Sequence, residues 1–496
     1  MSAHHETKPR DRVGFGRMVV YGFGAFVNNL LAAAIGGMVI VLNLGLGMSP
    51  ALVGLLGALP RLTDALTDPA MGYISDHTKS RWGRRRPYIF AGAIAAGIIY
   101  ALLWQLPRGE SETFYFVWFL AGSIIFYLAY TMFATPWVAM GYELTPDYHE
   151  RTRLMGVQNF IGQLAYVVAP WFLWIMTNKG WFSDQVVGAR YLAVIIAVVV
   201  IALGILPALF LRERFGEDAV GDEGQDPPDA APEKAPEKAP EKAPVKASFE
   251  ESLIDFFRGL KITVSSKSFL KLSAATFLVF NGFILISSFQ FYVIIYYVFG
   301  GDQELGSEWA GYSGTVTSIA TFVVITVVTW LGTKVGKRRA FFIAIGISIV
   351  GYVLKWFCYD PAVPWLLLVP APLMAFGLGG LFTLMGSMVA DVVDEDELLT
   401  RERREGMFGS IFWWVVKLGM AAALAGGGVL LEATGFHVDL GGQQSATTIT
   451  LMRAADAFIP ALTSLVAIYA VWTYPITEET ARATREALEK RRGVVV

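Results

Sequence analysis

Two aspartates and one lysine lie inside stretches of the sequence that are otherwise apolar. Asp64 and Asp68 are four residues apart in RLTDALTDPAMGYISD, and Lys417 lies within IFWWVVKLGMAAALAGGG. A four-residue step places both carboxylates on one face of a helix. Two neighbouring acids repel when both are ionised, so one of them keeps its proton unless a cation lies between them. This arrangement is the chemical requirement for a proton or sodium site.

Lys417 is too far from either end of its apolar stretch to be read as reaching the membrane surface, so it needs a carboxylate partner. We expect it to pair with Asp64 or Asp68 during part of a working cycle. A bound cation or proton would compete with that ion pair, and this competition would couple occupancy to conformation. Lys355 stands near the end of another apolar stretch, and its ammonium group is predicted to extend to the surface.

The composition predicts that these residues are carried by membrane helices. Hydrophobic residues make up 54% of the 496 residues and charged residues only 17%, which is too apolar for ordinary globular domains. The net charge of -2 gives no sign of a nucleic-acid partner. A single cysteine, Cys358, excludes an internal disulfide and a multi-cysteine metal cluster. The sequence has no Walker-type loop, metalloprotease helix or nucleophile elbow, so we expect neither an enzyme nor a cofactor or metal site.

The predicted fold is an all-α polytopic membrane protein with twelve transmembrane helices in two pseudo-symmetric halves of six. About 20 apolar residues are needed to cross the hydrocarbon core as a helix. The predicted spans are 18–44, 51–75, 87–106, 114–141, 156–178, 190–211, 270–299, 309–332, 340–358, 364–391, 407–431 and 450–475. Residues 18–211 form the first half and 270–475 the second, between tails at 1–17 and 476–496.

Residues 212–269 are predicted to link the two halves. Their centre is APEKAPEKAPEKAPVK at 231–246, a repeat that lacks apolar side chains large enough to build a core and favours an extended, solvated chain. Apolar residues between 249 and 260 recur at roughly helical spacing. They predict a short amphipathic helix on the membrane surface.

Lysine and arginine are concentrated in the loops after spans two, eight and ten, at residues 79–86, 334–339 and 401–404. The positive-inside bias then places both termini in the cytoplasm, with the protein integral to a plasma membrane, a bacterial inner membrane in our interpretation. The N-terminus has no short apolar core with a cleavage site, so no cleaved signal peptide is expected.

The basic loop after span two has two interpretations, and both could hold. It is typical of a topogenic signal that contacts lipid headgroups. It could also form a cytoplasmic gate, with acids of the loop after span ten pairing with its arginines when that side closes. The candidate gate residues are Asp76, Arg81, Arg84, Asp391 and Asp394.

The sequence resembles the glycoside-pentoside-hexuronide:cation symporters, the melibiose-permease-like branch of the major facilitator superfamily. The supporting stretches are YGFGAF at 21–26, RLTDALTDPAMGYISD at 61–76, RWGRRRPYI at 81–89, YTMFATPW at 130–137 and AD-x-x-D at 390–394. The resemblance implies a substrate site between the halves and alternating access. It also implies that Asp64 and Asp68 bind the coupling cation, that Thr131 assists, that Trp137 belongs to the sugar pocket and that Lys417 links the two sites.

Three positions depart from the melibiose-type pattern. Asn29 and Ala134 stand where that pattern has acids, and Asn159 stands where it has an arginine. A melibiose-like substrate is therefore not expected, and the loss of one carboxylate near the cation site favours a proton over sodium. Neutral amides and flat aromatic faces suit an uncharged sugar. The candidate substrate residues are Asn29, Tyr130, Trp137, Asn159 and Trp413.

We therefore expect a secondary active transporter that moves a sugar or glycoside with a cation, preferably H⁺, with Na⁺ as the second possibility. The alternatives are a lysolipid or amphiphile carrier of the same superfamily and a membrane sensor that does not transport. Joint presence of Asp64, Asp68 and Lys417 argues against the sensor, because a sensor need not keep a titratable coupling pair. The identity of the substrate and the oligomeric state do not follow from the sequence.

Overall fold

The computed structural model describes residues 12–145, 148–213, 265–401 and 404–491. A few side chains within the helices also lie outside the described part, and Asp64 and Asp76 are among them. The predicted repeat at 231–246 and the predicted surface helix at 249–260 fall in the segment that is not described.

Twelve long helices follow one another along the described chain. They are α1 (Phe15–Met38), α2 (Pro50–His77), α3 (Arg86–Leu103), α4 (Glu112–Glu143), α5 (Tyr148–Val168), α6 (Gln185–Gly204), α7 (Lys267–Tyr292), α8 (Gln303–Val335), α9 (Lys337–Cys358), α10 (Pro370–Thr400), α11 (Glu405–Ala433) and α12 (Ala446–Trp472). Short helical segments continue several of them: Ile40–Leu44, Phe172–Thr177, Leu206–Phe210 and a π-helical turn at Val293–Val298. A further helix, α13, spans Glu478–Arg491.

Within the described residues, eleven helices are long and apolar enough to cross a membrane. The remaining long helix is α2, of which only the first part, Pro50–Arg61, is continuously apolar. Its second part contains the charged residues that the sequence analysis selected as an ion site. The prediction of an all-α polytopic membrane protein is confirmed, and the helix with the weakest membrane signal is the one that carries the candidate chemistry.

Polar caps determine where many of the helices begin. Asp184 accepts hydrogen bonds from the backbone N–H groups of Val186 and Val187 at the start of α6, at 2.9 and 3.1 Å. Ser49 and Ser111 do the same for α2 and α4. Such side chains satisfy backbone donors that have no partner inside the helix. Short polar residues in the loops therefore define where the helices begin. The apolar sequences inside the helices carry no such signal.

The helices alternate in direction, so α1 begins and α12 ends at the same end of the bundle, which we call the basal end. The opposite end is called the distal end. At the distal end α2 and α11 touch through backbone atoms: a Cβ added at Gly54 would lie 2.6 Å from the carbonyl oxygen of Leu424 and 3.1 Å from Cα of Gly428. Small residues allow this close approach of membrane helices. The two halves are therefore packed tightly at the distal end.

Polar contacts between the halves reinforce this distal packing. The buried Tyr292 hydroxyl donates to Asn43 Oδ1 at 3.0 Å. Trp171 Nε1 donates to Thr315 Oγ1 at 2.8 Å, across the contact between α5 and α8. At the basal end, by contrast, the described ion pairs join residues of the same half, as in Lys337–Asp391. The described contacts between the halves thus lie at the distal end, whereas the described ion pairs of the basal end hold each half separately.

Lys355 does not extend to the surface, so that prediction was wrong. Its side chain is 1% exposed, and its Nζ lies 2.5 Å from Oδ1 of Asp456 on α12, which is 2% exposed. A charge in this position is stable only with a partner. Beside the pair, the Arg453 guanidinium lies 4.0 Å from the ring centre of Tyr297 and 4.5 Å from that of Trp356. These contacts connect α7, α9 and α12 within the second half.

The buried pair makes a prediction about stability. Lys355→Met or Asp456→Leu alone should lower the free energy of unfolding by about 3–5 kcal/mol, because each leaves an uncompensated buried charge. The double variant Lys355→Met/Asp456→Leu should be close to wild type, since both charges are then gone. Thermal unfolding of the purified protein in detergent measures the difference.

Arg485→Met is the matched control, because the Arg485–Glu489 pair on α13 has an arginine that is 75% exposed. Exposed pairs contribute about 0–1 kcal/mol. A double variant as unstable as the two single variants would contradict the prediction.

Candidate functional site

The centre of the candidate site is the carboxylate of Asp68 on α2. Lys417 on α11 lies 2.5 Å away, from Nζ to Oδ2. Two hydroxyl groups on α4, those of Thr131 and Thr135, donate to Oδ1 at 3.2 Å each. One carboxylate therefore collects an ammonium group from the second half and two hydroxyls from the first. The structure brings Asp68, Thr131 and Lys417 together, as the sequence analysis expected, whereas the side chain of Asp64 lies outside the described part.

Helix geometry explains why these groups meet. Thr131 and Thr135 are one turn apart on α4, so both face the same point on α2. Thr67 adds a contact between its hydroxyl and that of Thr131, at 3.3 Å. Thr135 was missed by sequence reasoning, although its spacing from Thr131 is the signal that could have found it.

The Asp68–Lys417 pair is accessible. The two side chains are 35% and 34% exposed, in contrast to the buried pair of Lys355. Ions and protons can therefore reach Asp68 without unfolding the bundle, and water weakens the attraction between the two charges. The pair is chemically suited to exchange: a proton or metal cation on Asp68 removes the reason for Lys417 to stay bound.

Ala134 stands at the position where the melibiose-type pattern has an acid. It lies on α4 between the two threonines and is 9% exposed. No carboxylate therefore comes from this position of α4 to the surroundings of Asp68. The hydroxyls of Thr131 and Thr135 contribute oxygen atoms beside the carboxylate of Asp68.

The predicted substrate residues are dispersed around this centre. Tyr130 on α4 donates to Asn28 Oδ1 at 2.7 Å, and Asn28 Nδ2 donates to Asn29 Oδ1 at 3.3 Å. Asn159 is exposed on α5. Trp413 is 55% exposed, one helical turn before Lys417 on α11. The structure thus joins Asn29 and Tyr130 in one hydrogen-bonded chain, while Asn159 is on another helix.

Trp137 is placed differently from what a sugar-stacking role requires. It is 2% exposed, its Nε1 donates to the carbonyl oxygen of Tyr21 at 3.2 Å, and its ring stacks on that of Tyr21 with centres 5.1 Å apart. Gly24 leaves the space that the ring fills. Trp137 is a packing residue between α1 and α4 in this conformation, and its contact with substrate stays a prediction.

The candidate gate residues form ion pairs within each half. Arg84 and Arg85 both pair with Glu143 at the end of α4. Asp391 pairs with Lys337 at 2.7 Å. Arg81 is exposed and Asp394 is half-buried on α10, and the side chain of Asp76 lies outside the described part. Pairing of these arginines with the acids of α10 stays a prediction for a basally closed state.

Glu213 was missed in the sequence. Its carboxylate accepts hydrogen bonds from the backbone N–H groups of Arg84, Arg85 and Arg86, at 3.0, 2.7 and 3.0 Å. It therefore fixes the basic turn before α3 and neutralises part of its charge. Glu213 lies two residues after Leu211, the last apolar residue of the predicted sixth span, and this acid was the signal available in the sequence. The segment after α6 is thereby tied to the start of α3.

A cavity of about 260 Å³ lies between the two halves toward the distal end. The first half contributes residues of α1 and α5, and the second half residues of α7 to α10. The residues around it include Tyr166, Pro170, Phe283, Ser287, Gln290, Phe291, Thr317, Ser318, Tyr352 and Met374. The cavity is uncharged and mixes hydroxyl, amide and aromatic groups.

A twelve-helix bundle of two halves, with an ion pair and an uncharged cavity between them, is the architecture of a membrane transporter of the major facilitator superfamily. A solved structure of a bacterial homologue of the human lysosomal transporter Spinster, inward-facing and unoccupied, has this fold, with a TM-score of 0.64 over 98% of this chain and 99% of that one at 16% identity. A family model described as MFS/sugar transport protein matches residues 16–229 and 236–478. The chain belongs to that family, and the resemblance to glycoside:cation symporters is confirmed.

Individual relatives are similar over most of the chain. An uncharacterized symporter of Synechocystis is 25% identical over 90% of this chain and 91% of its own length. A sodium-dependent lysophosphatidylcholine symporter of Gallus gallus is 23% identical over 97% and 90%. An isoprimeverose transporter of Lactiplantibacillus pentosus is 23% identical over 84% and 78%. The relatives therefore include carriers named for a lipid and for a sugar.

The contacts of Glu213 predict an effect on the basic turn. Glu213→Ala should speed tryptic cleavage after Arg84 or Arg85, because three backbone donors lose their acceptor, at a cost of about 1–3 kcal/mol to local stability. Mass spectrometry of the fragments from the purified protein measures the rate. Glu110→Ala, an exposed acid in the loop before α4, is the control, and an unchanged rate in Glu213→Ala would contradict the prediction.

Proposed function

We propose that the protein is a secondary active symporter that carries a neutral sugar or glycoside together with a cation, preferably a proton. The observation that carries this proposal is the accessible ion pair between Asp68 and Lys417, because it joins one half to the other at a titratable group. Its partial exposure supports exchange with ions.

The proposed mechanism is a competition at Asp68. When a proton neutralises the carboxylate, the attraction to Lys417 is lost and α2 and α11 are free to change their relative position. Thr131 and Thr135 continue to hydrogen-bond the carboxyl group and keep it in place. A substrate that contacts both halves would favour the same rearrangement. The movement of the substrate would then be coupled to that of the cation.

The absence of an acid at Ala134 supports the proton over sodium. Sodium is bound by several oxygen ligands at once, and Ala134 supplies none at the position where the melibiose-type pattern has an acid. A proton needs only one carboxylate oxygen. Lys417 already occupies the other oxygen of Asp68, so a proton competes directly with the ammonium group that it replaces.

The basic turns support a plasma-membrane protein whose basal end and termini lie in the cytoplasm, since Lys and Arg are enriched in cytoplasmic loops. In this orientation the close backbone contact between α2 and α11 faces the outside. A lysolipid carrier is the second candidate, favoured by the similarity to the lysophosphatidylcholine symporter. A thermal-shift screen of the purified protein against neutral sugars, glycosides and lysophosphatidylcholine, with and without sodium, separates the two.

The coupling role of Asp68 can be tested by Asp68→Asn. We expect gradient-driven uptake of the sugar identified in the screen to fall at least about tenfold in vesicles, because the amide cannot change charge. The variant Asp439→Asn, an exposed acid in the distal loop before α12, should accumulate the sugar like wild type. Full accumulation by Asp68→Asn would remove this residue from the coupling mechanism.

Proton coupling predicts a pH change. Adding the sugar to cells in sodium-free medium should make the medium more alkaline, since each sugar enters with a proton, and uptake should decrease as the external pH rises. A pH electrode in weakly buffered suspension measures the change. Strict dependence of uptake on sodium, without alkalinisation, would overturn the preference for a proton.

A further inference from the structure

Two cations of the second half, Lys271 and Arg338, meet at the basal end of α12. Lys271 lies near the start of α7, and its Nζ donates to the backbone carbonyl oxygen of Thr473. Arg338 lies at the start of α9, and its Nη2 donates to the carbonyl oxygen of Trp472. Both side chains are half-buried. Two neighbouring carbonyl groups thus hold charges from two different helices at one end of the bundle.

These hydrogen bonds leave the two charges without a full counter-charge. The C-terminal end of a helix carries only about half a negative charge, so the end of α12 keeps a positive surplus. Within the described part of the chain, neither cation forms an ion pair with a carboxylate. Glu478 lies against Gly336, two residues before Arg338, but it is not within ion-pair distance of either cation. Ammonium and guanidinium groups have several N–H donors each, so both side chains can bind a further acceptor.

Other cations of the basal end are neutralised by acids of the same half. The described pairs are Arg84 and Arg85 with Glu143, Lys337 with Asp391, Arg404 with Asp396 and Arg491 with Glu397. At those places the protein supplies its own anion. At the end of α12 an anion from outside the chain can take the corresponding position.

The surroundings of the two cations are those of a membrane surface. Trp472 is 67% exposed, and its ring centre lies 6.3 Å from that of Phe342. The guanidinium of Arg338 lies 5.8 Å from the same Phe342 ring. Exposed tryptophan is typical of the headgroup level of a bilayer. From Trp472 an exposed apolar stripe follows α12 toward the middle of its span, formed by Tyr469, Leu465 and Leu462. A ligand with an anionic head and an apolar tail matches this surface.

We propose that Lys271 and Arg338 bind the phosphate group of an anionic phospholipid, whose acyl chain lies along the exposed stripe of α12. The phosphate oxygens accept hydrogen bonds from the remaining donors of both side chains, while the carbonyl groups of Trp472 and Thr473 keep these side chains in place. Basic pockets between membrane helices bind lipid headgroups in this way. A phosphatidylcholine is the poorer ligand, because its own ammonium group already balances its phosphate.

This site is separate from the Asp68–Lys417 pair, and the inference does not depend on which substrate is transported. The buried Lys355–Asp456 pair joins α9 to α12 toward the distal end. A phospholipid bound at the other end of α12 would join it to α7 and α9 through Lys271 and Arg338. The second half would then be held together by its own ion pair on one side of the membrane and by a lipid on the other.

The affinity for dioleoylphosphatidylglycerol tests the proposal, with dioleoylphosphatidylcholine as the zwitterionic comparison. We expect the first phosphatidylglycerol molecule to bind about fivefold more weakly to Lys271→Gln and to Arg338→Gln, and about 25-fold more weakly to the double variant. Glutamine still offers a donor to the carbonyl groups of α12, so the end of this helix keeps a hydrogen-bond partner. Native mass spectrometry of the full-length protein purified in detergent measures the occupancy.

The matched control is Arg482→Gln, which makes the same change of charge at an exposed position of α13 and should bind phosphatidylglycerol like wild type. Arg338→Lys keeps the charge and should stay within about twofold of wild type. The unfolding temperature of each variant in detergent without added lipid shows that it is folded.

The outcomes separate a lipid site from a site for a soluble ion. Weaker binding of phosphatidylglycerol in the variants of Lys271 and Arg338, with Arg482→Gln unchanged, supports the proposal. A double variant that binds phosphatidylglycerol as tightly as Arg482→Gln would overturn it, and so would equal binding of the two phospholipids by wild type. Displacement of phosphatidylglycerol by an equal concentration of inorganic phosphate or glycerol 3-phosphate would show that the acyl chain contributes nothing, and it would overturn the assignment to a lipid.

Discussion

The structure depends on the rule that a charge within a membrane needs a partner. Asp68 and Lys417 are 349 residues apart in sequence and belong to different halves, so the bundle satisfies both charges only when the halves are together at this depth. Any event that neutralises one partner changes how strongly the halves are held. A single electrostatic requirement thus connects the packing of α2 against α11 with the chemistry of the ion pair.

The protein contains two kinds of intramembrane ion pair, and their surroundings assign them different roles. Asp68–Lys417 is about one-third exposed and lies between the halves. Lys355–Asp456 is almost fully buried inside the second half, where it joins α9 to α12. Water and ions reach the first and are excluded from the second. The exposed pair is therefore suited to change during a cycle, and the buried pair is suited to hold one half together as a unit.

Much of the fold followed from composition and spacing, because long apolar runs with basic loops have few solutions. The ion site was also accessible to sequence reasoning, since Asp68 and Lys417 violate the apolar pattern around them. Lys355 violates it as well, but its partner Asp456 is 101 residues away, and no local pattern connects them. The burial of Trp137 depends on the space beside Gly24, and Glu213 acts through backbone groups of another loop. Contacts of that kind arise only from the folded arrangement.

The backbone contact between Gly54 and Gly428 has a consequence for the speed of conformational change. Side chains that interlock must leave their rotamer wells before two helices can separate. Between Gly54 and Gly428 no side chain intervenes, so the helices can separate at this point without a rotamer change, whereas one turn further the Leu424 side chain packs on Gly57. The glycine pair thereby combines close packing of α2 and α11 with a low barrier to their separation at this one point of the distal end.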